Sequence, residues 1–202
     1  MKNSIFINKK IRSYNKKITV SSDKSISIRW ALIASQAIGK SKASNLLISE
    51  DVLSTLNCLK KLGIKMNLNK KKQTCEIFGN GINGFNYKKN ITLNANNSGT
   101  LARLICGLLV KAKHKIKIIG DKSLSRRDFS RVIQPLNKFG INFYPRFKKN
   151  LPLSIQGTDF LRPIQFQEKK GSAQVKSLLI FAAMNTPGTT VIHAKKSRDH
   201  TE

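Results

Sequence analysis

The apolar positions of the chain change period in a fixed order, and the order then returns. Residues 1–16 are polar and basic, with Ile5-Phe6-Ile7 as one short strand. The pattern then predicts a strand over 17–20 and a helix over 24–38. A turn at Gly39-Lys40-Ser41 leads to a predicted strand over 43–48. Ser49-Glu50-Asp51 caps a helix over 52–62 with Val52, Leu53, Leu56, Leu59 and Leu62 on one face. Gly63 closes that helix, residues 64–68 alternate as a strand does, and 74–78 pair with them across a Lys-rich turn.

The second round runs through a strand over 91–94, a helix from Asn97-Ser98-Gly99-Thr100 to Val110, and a strand over 115–119. Arg127-Asp128 opens another helix, with Val132, Ile133, Leu136 and Phe139 apolar, and Gly140 ends it before a strand pair at 141–144 and 153–155. The helix ends Leu59-Lys60-Lys61-Leu62-Gly63-Ile64 and Leu136-Asn137-Lys138-Phe139-Gly140-Ile141 match position for position, 77 residues apart. A third round opens at Gly171-Ser172-Ala173-Gln174 and continues through a helix over 175–184, a Pro187-Gly188 turn and a strand over 189–193. Ser197-Arg198-Asp199-His200-Thr201-Glu202 then opens one more helix. A period near 75 is too long for a solenoid. It predicts an α/β domain of three similar units sharing one core, over 17–90, 91–165 and 166–202, the third incomplete, with residues 1–16 apart from it. The expectation is a fragment.

Composition changes this picture little. The 202 residues are 40% hydrophobic, enough for one sizeable core. The formal net charge is +28, from 38 Lys and Arg against 10 Asp and Glu, which raises nucleic acid as a partner. The lysines interrupt every segment instead of forming an aromatic-studded stripe, so a nucleic-acid-binding module is the weaker alternative. Cys58, Cys75 and Cys106 are far apart and lack C-x-x-C spacing, as in a reduced, cytoplasmic protein. No apolar run approaches a membrane span.

The candidate chemistry lies where each unit begins its first helix: Ser22-Asp23-Lys24-Ser25, Asn97-Ser98-Gly99-Thr100 and Gly171-Ser172-Ala173-Gln174. Ser22 or Asp23 caps the first of these, and Lys24, Ser25 and Arg29 fall within its first two turns. If the three helices pack about a pseudo-threefold axis, their N-termini converge, and three partial positive charges make an anion site that needs no metal and no cofactor. The copies differ in their added donors (Lys24, Arg29, Gln174, Lys176), which a copied N-cap alone would not require.

These motifs carry a resemblance. Asp23-Lys24-Ser25-Ile26-Ser27-Ile28-Arg29, Leu47-Ile48-Ser49-Glu50-Asp51, Asn97-Ser98-Gly99-Thr100-Leu101-Ala102-Arg103, Gly120-Asp121-Lys122-Ser123-Leu124, Gly171-Ser172-Ala173-Gln174-Val175-Lys176-Ser177 and Ser197-Arg198-Asp199-His200-Thr201-Glu202 run in the order found in the 5-enolpyruvylshikimate-3-phosphate synthases, which the chain resembles from about residue 17 to its end. The resemblance implies the enolpyruvyl transferase fold: two domains, each of three small α/β units, with the substrates in the cleft between them. The chain then corresponds to most of the N-terminal domain, with residues 1–16 associated with a C-terminal domain that it lacks. The implied reaction joins phosphoenolpyruvate to shikimate 3-phosphate by addition and elimination of phosphate, in a cytoplasmic, monomeric enzyme of aromatic biosynthesis.

Carried over by position, Lys24 touches both substrates. Ser25, Arg29, Ser172, Ala173 through its backbone, and Ser197 hold shikimate 3-phosphate, while Gly99, Arg127 and Gln174 hold phosphoenolpyruvate. The chief acid–base groups of the family lie in the other domain, so the isolated chain is expected to be inactive. Three positions depart from or blur the pattern. Trp30 replaces a usual Ala, and Asp128 replaces a usual Pro, where it stands close enough to neutralise part of the Arg127 charge. Arg126 competes with Arg127 for the ligand role, and the offset from Gly120 favours Arg127. The transferase acting on a UDP-amino sugar shares the fold but places Asn after the lysine and a reactive Cys on a loop. Here Ser25 follows Lys24, and Cys106 is predicted to lie mid-helix.

Overall fold

A computed structural model of the protein describes Ser13, Asn15 and residues 20–194. The strands predicted over 5–7 and 17–20, and the motif at 197–202, lie outside the described residues, apart from Val20. The first unit contains α1 (Lys24–Ala34), β1 (Ile38–Ala43), α2 (Glu50–Lys61), β2 (Lys65–Asn69) and β3 (Thr74–Asn80). The second contains β4 (Thr92–Asn94), α3 (Gly99–Leu108), β5 (Ile116–Ile119), the short α4 (Lys122–Ser125), α5 (Ser130–Lys138), β6 (Asn142–Tyr144) and β7 (Leu153–Gln156). The third shows β8 (Gln165–Glu168), α6 (Ala173–Ala183) and β9 (Val191–Ala194).

The sheets carry the repeat. The first is ordered β1-β3-β2 and is antiparallel throughout. In the second, β5-β7-β6 has the same order and direction, and β4 adds parallel to the free edge of β5. The third sheet is the parallel pair β8-β9, the counterpart of β4-β5. The two matching helix ends are equivalent down to single hydrogen bonds. The Ile64 N–H donates to the Leu59 carbonyl at 3.1 Å, and the Ile141 N–H to the Leu136 carbonyl at 3.1 Å. Gly63 at φ 86° and Gly140 at φ 100° make that reversal, a backbone region in which a Cβ is disfavoured.

Three boundaries differ from those the sequence predicts. The helix predicted over 24–38 stops at Ala34, and the strand predicted over 43–48 is instead β1, Ile38–Ala43. At the end of α1 the carbonyl oxygens are taken from outside the helix. The Asn80 N–H donates to Ser35 and the Gly81 N–H to Ala37, so β3 receives the chain before another turn can form. Residues 44–49 become a loop, pinned where the Leu46 N–H donates to Gln73 and the Leu47 N–H to the Ser27 hydroxyl. The helix expected to open at Arg127-Asp128 begins at Ser130, because residues 126–129 form the turn out of α4 and the Asp128 carboxylate accepts the Ser130 N–H. The third unit also has a strand, β8, that the alternation did not reveal.

The first helices of the three units form the centre. All residues of α3 except Arg103 are buried, so it is apolar on every side, as a helix enclosed by others must be. Each fully buried Leu there contributes about 1.5–3 kcal/mol. Gly107 sets how closely α3 meets α6: a Cβ there would lie 2.4 Å from the Leu178 carbonyl oxygen and 3.0 Å from the Phe181 Cβ. Because the obstruction is backbone, any side chain at 107 would force the two helices apart and misalign their N-terminal ends.

Candidate functional site

Each first helix is closed by a short polar side chain. The Asp23 carboxylate accepts the Ile26 N–H at 2.7 Å, the Ser98 hydroxyl accepts the Leu101 N–H at 3.3 Å, and the Ser172 hydroxyl accepts the Val175 N–H at 3.4 Å. The loop before α6 is held by Glu168, which is 5% exposed and whose two oxygens accept the N–H groups of Lys170 and Ser172.

Side chains then tie the three helix starts together, as expected for a pseudo-threefold arrangement. Arg29, 7% exposed, donates from Nε to the Ser177 hydroxyl at 3.0 Å, from Nη1 to the Ser25 carbonyl at 3.2 Å and from Nη2 to the Ala173 carbonyl at 3.4 Å. It therefore bridges α1 and α6. Gln174 bridges α6 and α3: its Nε2 donates to the Thr100 hydroxyl at 3.0 Å, and its Oε1 accepts Arg103 Nη1 at 3.2 Å. The same Arg103 nitrogen donates to the Gly99 carbonyl, and the guanidinium lies 5.1 Å from the centre of the Phe129 ring.

The electrostatics follow from burial and neighbours. Desolvation lowers the pKa of Arg29, and the Asp23 carboxylate opposes the shift. Desolvation also lowers that of Arg103, and the like charges of Arg127 and Arg131 lower it further. Arg103 is a site residue that the capping pattern does not single out, although it closes the motif Asn97-Ser98-Gly99-Thr100-Leu101-Ala102-Arg103 one helical turn beyond Gly99.

A Cβ at Gly99 would lie 2.6 Å from Arg103 Nη1 and 3.1 Å from Arg127 Nη1. The glycine lets two guanidiniums pack against the backbone at the start of α3. The contact also places Arg127 at that helix start, while Arg126 forms the exposed C-cap of α4. Among the described residues no ion pair joins Arg127 to Asp128. Hydrogen bonds from Ser130, then the charges of Lys149 and Arg131, hold its carboxyl below the usual range. Asp121 caps α4 through the Leu124 N–H at 2.7 Å and accepts the Asn97 amide at 2.6 Å, which fixes the turn that carries Arg127.

Lys24, the first residue of α1, forms an ion pair with Asp51 at 2.9 Å. Ser25, Ser172, Ala173 and Gln174 are half-buried at the same helix starts, and Trp30 packs partly buried against the core. Ser197 lies outside the described residues. All three cysteines are free and buried. Burial pushes the Cys106 thiol up to about 12, and its Sγ donates to the Ala102 carbonyl within α3. It is not the exposed loop thiol that the UDP-sugar alternative requires.

Among the described residues no cluster of three His, Cys, Asp or Glu side chains could hold a metal, and no helix is long and apolar enough to cross a membrane. Two surface hollows, of about 330 and 620 Å³, are lined by none of the candidate residues. The candidate site is thus a set of donors at three helix ends, suited to phosphate and carboxylate groups.

Comparison with known proteins agrees with this geometry. The sequence pattern of the family described as EPSP synthase (3-phosphoshikimate 1-carboxyvinyltransferase) matches residues 8–202. A 3-phosphoshikimate 1-carboxyvinyltransferase of Caldicellulosiruptor saccharolyticus is 40% identical over 196 residues, covering 95% of this chain and 44% of that protein. One from Streptococcus pyogenes is 40% identical over 187 residues, covering 92% and 43%. The solved EPSP synthase of Acinetobacter baumannii superposes with a TM-score of 0.85 at 34% identity, over 92% of this chain and 42% of the other. The chain therefore spans less than half the length of these relatives. With its α/β units in the enolpyruvyl transferase arrangement and its motifs in family order, the chain belongs to the EPSP synthase family.

Proposed function

We propose that this chain supplies the N-terminal half of an enzyme that transfers the enolpyruvyl group of phosphoenolpyruvate to shikimate 3-phosphate, releasing phosphate. The observation that carries the reading is the convergence of the three capped helix starts, cross-tied by Arg29, Gln174 and Arg103. In this reading Lys24 touches both substrates. Ser25, Arg29, Ser172, the Ala173 backbone and Ser197 hold shikimate 3-phosphate, and Gly99, Arg127 and Gln174 hold phosphoenolpyruvate. Arg103 joins them as the residue that sets the position of Gln174. Two phosphates and a carboxylate call for charge-assisted hydrogen bonds of about 1.5–3 kcal/mol each, and these donors provide them.

The family reaction protonates C3 of the enolpyruvate, the shikimate hydroxyl attacks C2, and phosphate leaves the tetrahedral adduct. The donors gathered here bind and orient. The proton-transfer groups are assigned to the other half of the enzyme, so the chain alone binds without turnover. Residues 17–202 form the three-unit domain in this reading, and residues 1–16 associate with the second domain. The enzyme is placed in the cytoplasm as a monomer.

The test is a titration of the ¹⁵N-labelled chain with shikimate 3-phosphate, with phosphate release assayed in parallel. The expected result is salt-sensitive shifts at Lys24, Ser25, Ser172 and Ala173, an affinity on the order of millimolar, and no release, since a one-sided site leaves the ligand in high dielectric. Shifts elsewhere, no shifts, or phosphate release above background would overturn the reading.

A further inference from the structure

Asp51 belongs to the motif Leu47-Ile48-Ser49-Glu50-Asp51, yet none of the roles assigned above uses it. The chain has only 10 acidic residues against 38 basic ones, so a carboxylate placed beside an anion site works against the general charge. Among the described residues there are two ion pairs, and the shorter joins Lys24 Nζ to Asp51 Oδ2 at 2.9 Å. The lysine side chain is 50% exposed and the aspartate side chain 19%, so the carboxylate is the anchored partner.

Lys24 has reason to move without it. It is the first residue of α1, where the partial positive charge of the helix repels an ammonium, and its four-carbon stem has many rotamers in water. Asp51 stands in the first turn of α2, where a carboxylate is favoured. The Ser49 hydroxyl makes no capping bond there, and Glu50 and Asp51 supply the negative charge instead. One turn on, at a spacing that shares a helix face, Ser54 accepts the Asn96 side-chain amide at 2.8 Å in the loop leading into α3. The Cys58 thiol then donates to the Asn94 carbonyl. The same side of α2 therefore grips Lys24 of the first unit and the approach to Gly99 of the second.

We propose that Asp51 is a positioning residue for Lys24, holding its ammonium from α2 toward the start of α3, where the two substrates meet. The inference deepens the function proposed above and rests on it for the identity of the ligand. Asp51 takes one of the three ammonium protons and leaves two for ligand oxygens. The opposite possibility is that Asp51 merely competes with the ligand for Lys24. The two differ in sign: loss of a competitor tightens anion binding, whereas loss of the anchor weakens it.

The test uses the 202-residue chain in four forms: unchanged, Asp51→Asn, Lys24→Gln and both together, with Asp51→Glu as the conservative variant. Thermal unfolding confirms that each is folded, and two readings follow. The first is proton exchange of the Lys24 ammonium by ¹⁵N NMR without ligand: slow in the unchanged chain, fast in Asp51→Asn and slowed again in Asp51→Glu. The second is the affinity for shikimate 3-phosphate. Asp51→Asn should weaken it about threefold to fivefold, the range of an exposed ion pair, and should change nothing in the Lys24→Gln background. A purely structural Asp51 would weaken binding equally in both backgrounds, and a competing one would tighten it; either result overturns the proposal. Ammonium exchange that ignores Asp51→Asn also overturns it, whatever the ligand does. If the exchange depends on Asp51 but the unchanged chain does not respond to shikimate 3-phosphate, the positioning role stands and the proposed function falls.

Discussion

Arg29 on α1 and Arg103 on α3 both cross to the start of α6, but in opposite surroundings. Every nitrogen of Arg29 donates to a protein acceptor, and a carboxylate, Asp23, stands nearby. Arg103 directs one nitrogen to Gly99 and Gln174, rests on the Phe129 ring and feels two further guanidiniums, Arg127 and Arg131. The first arginine spends three of its five donors on the protein and struts two units. The second belongs to a cluster in which guanidiniums outnumber the one opposing carboxylate, Asp128. The difference shows that two helix starts related by one repeat can sit in unlike electrostatic surroundings.

The largest expected effect separates them by stability. Arg29→Ala removes the three guanidinium hydrogen bonds of a residue that is 7% exposed, two of them to α6, although Ser177 and Ala173 keep the bond between them. The change should cost about 3 kcal/mol of unfolding free energy. Arg103→Ala also removes hydrogen bonds but relieves like-charge crowding, and should cost about 1 kcal/mol. Urea denaturation of the two variants measures both values. Equal losses would erase the distinction.

Gly99→Ala probes the cluster from its backbone side. The new methyl meets the far ends of two flexible side chains, so the fold should survive with a change of less than about 1 kcal/mol. Arg103 and Arg127 must both shift, and phosphoenolpyruvate should bind about tenfold more weakly, while shikimate 3-phosphate changes little. Calorimetry with each ligand decides, and parallel losses for both would mean that Gly99 serves only the helix start.

Arg127→Ala and Arg126→Ala test which neighbour belongs to the cluster. The first should reduce the stabilisation given by inorganic phosphate, which at ten times its Kd is about 1.4 kcal/mol, and the second should leave it intact. Thermal shifts with and without phosphate would show the contrast, and a reversed result would move the assignment to Arg126.

The smallest effect concerns Asp121. The Leu124 N–H first, and the Asn97 amide next, hold its carboxyl below the ordinary value of 3.8. A group whose folded pKa is depressed adds stability above its unfolded pKa and loses it as the pH falls toward the folded value. The chain should therefore lose part of its stability between pH 4 and lower pH, a window set by that ordinary value of 3.8. Asp121→Asn should flatten this part of the curve. Urea midpoints across the window would measure it, and an unchanged slope would show that other carboxylates dominate.

Much of the architecture was legible because it is local. Period and caps identified every first helix from Asp23, Ser98 and Ser172, and the matched ends at Gly63 and Gly140 announced the repeat before any sheet was seen. The errors came where partners distant in sequence decide. Nothing near Ala34 foretells that the backbone of Asn80 and Gly81 will take the carbonyls of Ser35 and Ala37, just past α1, so the predicted helix ran on to Ile38. Nor does alternation mark Gln165–Glu168, because β8 is defined by its parallel partner β9, across α6.

The site divides in the same way. By itself the sequence marked the candidates for meeting an anion, since residue type, capping position and family motif lie in adjacent residues: Lys24, Ser25, Arg29, Gly99, Arg127, Ser172 and Gln174. Only the tertiary structure decided how they divide the work. Arg29 bonds to Ser177 and Ala173, 148 and 144 residues away, and Arg103 reaches Gln174 across 71. Asp51 is set against Lys24 because α2 packs on α1. A side chain's partners and the charge around it depend on the packing of separate elements, and no local pattern in the chain encodes that distance.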